Sequence, residues 1–404
     1  MNVPHTGPLS GIKVIEFTHW LAAPYCGNIL SDFGANVIKV EPLIGDQVRQ
    51  ANGEYLYSAF NHGKRGISID LKKEQGRKIA LDLLKEADVL IENFRPGVME
   101  KIGIGYEEVS KINPGIVYCS ISAFGNTTNY VNRPGMDPIV QGMGAVMSMT
   151  GQDENSPPLL PGIPIADNSA AFMSFGAISS ALYEREKSGK GQKIDLNLID
   201  MMVLNLTTRY GQYLATGENP KPLGNQHSQV FPYQAFPTKD GWMTAGAQTD
   251  KLWGNFCKLI GRPDLSQHEK YKTNAKRIKH RKELTEILNE VFMEKTTEEW
   301  CSLFEGENIL FGPIWGIHEL INSDLIQDHN IVVDVEHPSL GNIPIVQTPV
   351  TFSRSRVEIQ PILHLLGEHT KEILEELGYD NETISRLATD KIIKFAEEKI
   401  TIGE

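Results

Sequence analysis

The stretch from Ile12 to Pro42, IKVIEFTHWLAAPYCGNILSDFGANVIKVEP, decides the fold class. Ile12–Phe17, apolar at four of its six positions, reads as a buried-type strand. Ala23–Ala35 carries small and apolar residues at helical spacing, and Gly34 stands where a helix would stop. Asn36–Pro42 repeats the pattern of the first run. Strand, helix and strand within about 30 residues form a βαβ unit, which requires parallel strands and a right-handed crossover.

The alternation continues outward. Ser68–Leu71 reads as a short extended piece and Glu74–Ala87 as an amphipathic helix. Asp88–Phe94 and Gly115–Gly125 read as further strands. A helix of small and apolar residues follows Asp167 and ends near Lys187–Gln192, and Lys193–Asp200 is β-like. The first 200 or so residues are therefore expected to form an open α/β sheet. The pattern then changes. Tyr233–Gln248 predicts a hairpin turning at Lys239–Gly241, and helices are expected at Lys251–Ile260, His280–Met293 and Thr297–Phe304. Strands return over Asn342–Ser355, with a last helix over Gly367–Tyr379. The expected division is residues 1–205 and 331–404 for a large α/β domain, and 206–330 for a linker and a smaller α+β domain.

Composition narrows the function. A chain of 404 residues exceeds one typical core, and 40% hydrophobic with 22% charged residues describes an ordinary globular protein. The net charge of −12 argues against nucleic acid and membrane surfaces as partners. No run approaches the roughly 18 apolar residues of a span. The opening MNVPHTGPLSG lacks a basic segment followed by an apolar one, so a cytoplasmic location is expected. Cys26, Cys119, Cys257 and Cys301 lack metal-ligand spacing, and no metal is expected. The first βα turn, THWLAAPYCG, lacks GxGxxG, which argues against a nicotinamide or flavin dinucleotide. Motifs for a phosphate-binding P-loop, a zinc protease or a serine hydrolase are also missing. What remains is Asp167, at the mouth of its helix. Locally it reads as a cap, accepting hydrogen bonds from the free N–H groups of the first turn.

Eight blocks in order resemble one family: Pro8–Pro42, Asn61–Ile79, Leu90–Glu107, Asn113–Gly125, Pro164–Phe172, Lys187–Asp200, Gly224–Trp242 and Leu366–Tyr379. They look like the family III CoA-transferases, the group of formyl-CoA transferase and carnitine/crotonobetaine CoA-transferase. The resemblance implies a Rossmann-like large domain built from both chain ends, a smaller inserted domain, and two subunits interlocked as a homodimer. It implies transfer of CoA from an acyl-CoA to a free carboxylic acid, with CoA as substrate and no prosthetic group. Asp167 matches the family's nucleophile. The matching CoA contacts are Leu21, Ala22, Ile69, Asp70, Leu71, Lys72, Asn93, Phe94, Arg95, Lys101, Ser122 and Ala123. Leu21 replaces an active-site Gln of formyl-CoA transferase and Pro42 a CoA-binding Arg, which argues against formate and oxalate as substrates. Of its mobile glycine-rich loop only Gly224 is kept, in Gly224–Ser228.

Two other readings compete. An α-methylacyl-CoA racemase or epimerase needs two bases on opposite faces of the α-carbon. The block that carries the racemase histidine reads PGMDPIV here, with Met136 at the histidine position. A thioether takes no proton at neutral pH, so His19 or His227 would have to serve instead. A non-catalytic acyl-CoA-binding subunit is the third reading, and the intact Asp167 argues against it.

Overall fold

A computed structural model of the chain describes residues 6–397. The strands of the main sheet are β1 (Lys13–Phe17), β2 (Asn36–Glu41), β3 (Arg65–Ile69), β4 (Val89–Glu92), β5 (Val117–Ser122) and β6 (Gln192–Asn197). They pair in parallel in the order β3-β2-β1-β4-β5-β6. The βαβ unit read from Ile12–Pro42 is present, with Lys13 opposite Asn36 in register. The helices of this part are α1 (Ala22–Asp32), α2 (Gln47–Ala59), α3 (Glu74–Lys85), α4 (Val98–Ile102), α5 (Tyr106–Ile112), α6 (Asp137–Met143), α7 (Val146–Met149), α8 (Ile165–Ser188) and α9 (Leu198–Asn205).

Alternation along each strand divides the core into two layers. Val14, Val37, Val89, Ile91 and Val117 face α1 and α8, where Ala23, Cys26, Ala166 and Ala170 complete one cluster. Ile15, Ile38, Leu90 and Tyr118 face the other way, onto Ile79 and Leu83 of α3 and onto Ile373 and Ile384 near the chain's end. The small residues of α8 let it lie close against α1.

Two compact units are present. Among the described residues the first comprises 6–146, 161–210 and 326–397; the second comprises 147–160 and 211–325. The second contains β7 (Tyr233–Pro237), β8 (Trp242–Gly246) and β9 (Leu310–Pro313) as an antiparallel sheet, so the hairpin expected over Tyr233–Gln248 is present. Its core is aromatic: Phe236 stacks on Phe292 at 4.2 Å. In the first unit, β10 (Val332–His337) and β11 (Gly341–Val346) form a hairpin. The strand expected to run on to Ser355 stops at Val346. The two-residue β12 (Ile393–Lys394) adds antiparallel to β3 at the sheet edge.

Where the parallel strands end, the sheet buries charges. Lys39 and Lys64 are completely buried, and so is Glu16. Lys64 Nζ lies 2.8 Å from Glu16 Oε1, 2.7 Å from the Pro24 carbonyl and 2.9 Å from Asn61 Oδ1. Lys39 Nζ lies 3.0 Å from Asp46 and 3.5 Å from Glu16, and donates to the carbonyl and hydroxyl oxygens of Thr18. Gly27 of α1 makes room for the cluster, since a Cβ there would fall 1.9 Å from Glu16 Oε2. Breaking a buried pair leaves a bare charge. Lys64→Met is therefore expected to destabilise the protein by about 3–5 kcal/mol. Glu16→Gln/Lys64→Met should recover part of that loss. Thermal melts of the two variants and the parent check both expectations.

Candidate active site

Parallel α/β sheets bind ligands beyond the carboxyl ends of their strands, where the strand order reverses. Here the reversal lies between β1 and β4, and a cavity of about 700 Å³ opens there. Each of the first five strands delivers residues to it: Thr18 to Ala22 after β1, Glu41 and Pro42 at β2, Ile69 to Lys72 at β3, Asn93 to Pro96 after β4, and Ile121 to Gly125 at β5. Asp167, the third residue of α8, is part of the same lining.

The structure brings together nearly all of the residues singled out from the sequence. Leu21, Ala22, Ile69, Asp70, Leu71, Lys72, Asn93, Phe94, Arg95, Ser122, Ala123 and Asp167 all line the cavity. Lys101 does not. It lies in α4, exposed and outside the lining. Gln47, Arg133 and Asp137, which no motif singled out, also line it.

Side-chain roles differ among these residues. Both ends of the Asn93 amide bind the backbone of one residue: Oδ1 accepts from His19 N at 3.0 Å, and Nδ2 donates to His19 O at 2.8 Å. Asn93 thereby fastens the turn after β1 to the turn after β4. The His19 ring lies 5.3 Å from Phe94, and burial lowers its pKa, which favours the neutral imidazole. Asp70 Oδ1 accepts from Lys72 N at 3.0 Å, turning the chain so that Lys72 stands exposed. Neither Lys72 nor Arg95 forms an ion pair among the described residues. Trp20 holds a left-handed backbone, φ 60°, and its indole donates to Gln47 Oε1 at 2.7 Å.

The cap reading of Asp167 gives way to a different arrangement. The N-cap residue of α8 is Pro164, which has no side chain to offer the first turn. Asp137 of α6 takes that part: its Oδ1 accepts from Ala166 N at 2.8 Å and from Asp167 N at 3.2 Å. Gln141, one turn along α6, donates its amide to the other oxygen of Asp137. The cap comes from 30 residues upstream, so no local pattern announces it. Asp167 is left without the amide hydrogen bonds a cap would receive. Burial, and then the neighbouring Asp137, raise its pKa to about 7. The N–H groups a cap at Asp167 would have received go to Asp137 instead.

The sequence profile of CoA-transferase family III matches residues 9–370. The chain belongs to CoA-transferase family III. It is 36% identical to the succinyl-CoA:glutarate CoA-transferase of Mus musculus, over 97% of this chain and 92% of that one. It is 37% identical to the succinate–glutarate CoA-transferase of Agrobacterium fabrum, over 95% of this chain and 98% of that one. A crystal structure of a CaiB/BaiF family protein from Brucella suis superposes with a TM-score of 0.85 at 35% identity, covering 92% of this chain and all of that one. The chain is thus an enzyme of the CoA-transferase class, and acyl-CoA is the substrate its family shares. Among the described residues no helix is long and apolar enough to cross a membrane.

The raised pKa of Asp167 has a thermodynamic consequence. The folded protein keeps that proton up to about pH 7, whereas the unfolded chain releases it near the ordinary aspartate value of 3.8. Between those values the native state binds the extra proton, so this group's contribution to stability falls as pH rises, then levels off above 7. Asp167→Asn removes the titration. Its melting temperature relative to the parent is expected to rise from pH 4 to pH 7 and to change no further by pH 8.5. Calorimetric scans across that range check this.

Proposed function

We propose that the enzyme moves CoA from a dicarboxylic acyl-CoA donor to a free dicarboxylic acid, with Asp167 as covalent nucleophile. The observation that carries the reading is a carboxylate in the cavity wall whose neighbours leave it basic and, among the described residues, without a hydrogen-bonded partner. Asp167 Oδ attacks the thioester carbonyl of the donor. The tetrahedral intermediate collapses to a mixed anhydride and expels CoA as thiolate. The thiolate attacks the aspartyl carbonyl of the anhydride, releases the donor acid and leaves an aspartyl-CoA thioester. The carboxylate of the acceptor acid then runs the same two exchanges in reverse and restores Asp167. Carboxylates and thiolates enter and leave as anions, so no step calls for a strong general base. Covalent attachment divides one difficult exchange into easier ones.

The cations suit the substrate. Lys72 and Arg95, exposed on adjacent turns, are matched to the phosphates of CoA. The named acids of the relatives, succinate and glutarate, support a dicarboxylic acyl group. Met136 lines the cavity beside Asp137, where a racemase would need a base, and this opposes racemisation. His227, the other histidine considered for that role, accepts from Gln229 N and Val230 N through Nδ1 in the second unit. An interlocked homodimer belongs to the proposal. It is supported by the resemblance and by apolar side chains exposed on α8 and α9: Phe172, Met173, Tyr183, Val203 and Leu204.

Asp167→Ala is expected to lower kcat by about a thousandfold or more while CoA binding persists. Hydroxylamine added during turnover should convert Asp167 to a hydroxamate, located by peptide mass mapping. Retention of a tenth of the parent's activity, or a hydroxamate elsewhere, contradicts the assignment.

Asp137→Asn keeps the oxygen that accepts from Ala166 and Asp167 but removes its charge. The acid limb of kcat/KM, expected near pH 7 from Asp167, should then move toward the ordinary carboxylate range. A pH–rate profile of parent and variant checks the shift. An unmoved limb counts against Asp167 as the group that must ionise.

A further inference from the structure

We propose that Arg133 binds the distal carboxylate of the acyl group and so selects dicarboxylic over monocarboxylic substrates. The inference rests on the dicarboxylate reading above and assigns it to a side chain.

Arg133 lines the cavity and forms no ion pair among the described residues. Unlike Lys72 and Arg95, it does not come from the turns after β3 and β4. It belongs to the segment that follows β5 and ends in Asp137, whose carboxylate is bonded to the backbone of Asp167. Four residues, at no more than about 3.5 Å each, keep its Cα within about 14 Å of Asp137. An arginine side chain and a four- or five-carbon diacid together span such a gap. Lys72 and Arg95 stand with the phosphates of CoA in the proposed reaction; Arg133 stands on the segment that leads to the reacting carboxylate.

The segment is built to hold this cation in place. The guanidinium lies 5.9 Å from the centre of the Phe124 ring and 5.7 Å from that of Tyr130. Arg133 N donates to Tyr130 O at 2.8 Å, closing a turn beneath it. Gly135 packs so tightly that a Cβ would fall 2.5 Å from Ala123 Cβ and 2.7 Å from Phe124 Cε2. A guanidinium resting on two rings loses less freedom when it binds, and its planar fork matches a carboxylate with two parallel hydrogen bonds. The side chain remains exposed to water, which holds the expected effect to tens of fold rather than thousands.

Both halves of the reaction place an acyl group on the same aspartate. One cation therefore serves donor and acceptor alike, and its effect follows the distal carboxylate and not the CoA. The test compares the parent with Arg133→Gln and Arg133→Lys. Acceptors are glutarate and valerate, which lacks the second carboxylate. Donors are succinyl-CoA and butyryl-CoA. In Arg133→Gln the glutarate-to-valerate ratio of kcat/KM is expected to fall about 10- to 100-fold, mainly through the KM of glutarate. The succinyl-CoA to butyryl-CoA ratio should fall similarly, and Arg133→Lys should recover part of each.

Equal losses on both donors would instead give Arg133 to the phosphates of CoA and overturn the inference. Unchanged ratios in a variant that retains the parent's melting temperature would overturn it too. A parent that transfers CoA to valerate as well as to glutarate would remove the dicarboxylate reading, and this inference with it. A dicarboxylate preference that survives in Arg133→Gln would remove the inference alone.

Discussion

The pairing of Glu16 with Lys39 and Lys64 inside the sheet is the constraint on which the rest of the first unit depends. Three charges without solvent are tolerated only when each is closely matched, because desolvation costs several kcal/mol per ion. Their hydrogen bonds do more than pair charges. Lys39 binds the Thr18 carbonyl and Lys64 the Pro24 carbonyl, on either side of the turn after β1. Two buried ammonium groups thus shape a turn that dinucleotide-binding proteins shape with glycines. Trp20, inside that turn, is held in a left-handed conformation unfavourable to a bulky residue. The network continues through Asp46, which caps α2, and Glu41, which accepts from Arg49 and Tyr57. His364 meets the Tyr57 hydroxyl at 3.0 Å, tying the C-terminal part of the chain to the sheet. Glu41 is held well below the usual carboxylate range by His364 and Arg49 against the cost of burial.

Asp137 and Asp167 divide between them what one helix N-terminus offers. The N–H groups of the first turn stabilise negative charge on the carboxylate that takes them. Asp137 takes them, and Asp167 stands within its repulsion. For the proposed reaction this division is useful: a carboxylate of higher pKa gives up more when it forms a bond to carbon. The cost is incomplete ionisation at neutral pH, so the arrangement trades the fraction of reactive anion against its strength.

Much of the sheet was legible because buried parallel strands have an apolar pattern that local sequence carries. β1, β2 and β4 fall within two residues of the runs expected for them, and β5 within three. The partners of the charged residues were not legible. Lys39 lies between Ile38 and Val40 in a strand, and its acids Asp46 and Glu16 come from two other segments. β12 is two residues long and has no period to detect. In the site, the residues of the turns after β1, β3 and β4 were found through family blocks that are contiguous in sequence. Asp137 was passed over although it adjoins Met136, because its hydrogen bonds reach 29 and 30 residues ahead. Lys101 was drawn in by its block, yet the short helix α4 carries it away from the cavity lining.

A net charge of −12 raises the question of how such a chain receives a polyanion like CoA. At physiological ionic strength the Debye length is about 8 Å, so acids scattered over the rest of the surface contribute little at the cavity mouth. What matters there is which cations are already spent. Lys39, Lys64 and Arg49 neutralise acids within the buried network. Lys72, Arg95 and Arg133 have no such acid among the described residues, and all three line the cavity. A glycine-rich turn would have met the phosphates with backbone N–H groups. This turn instead has its carbonyls bound by lysines, in keeping with the proposed recognition of phosphate by side chains. The buried acids and bases are thus matched among themselves, and the cations outside that balance are the ones to which the proposed reaction gives the substrate's anionic groups.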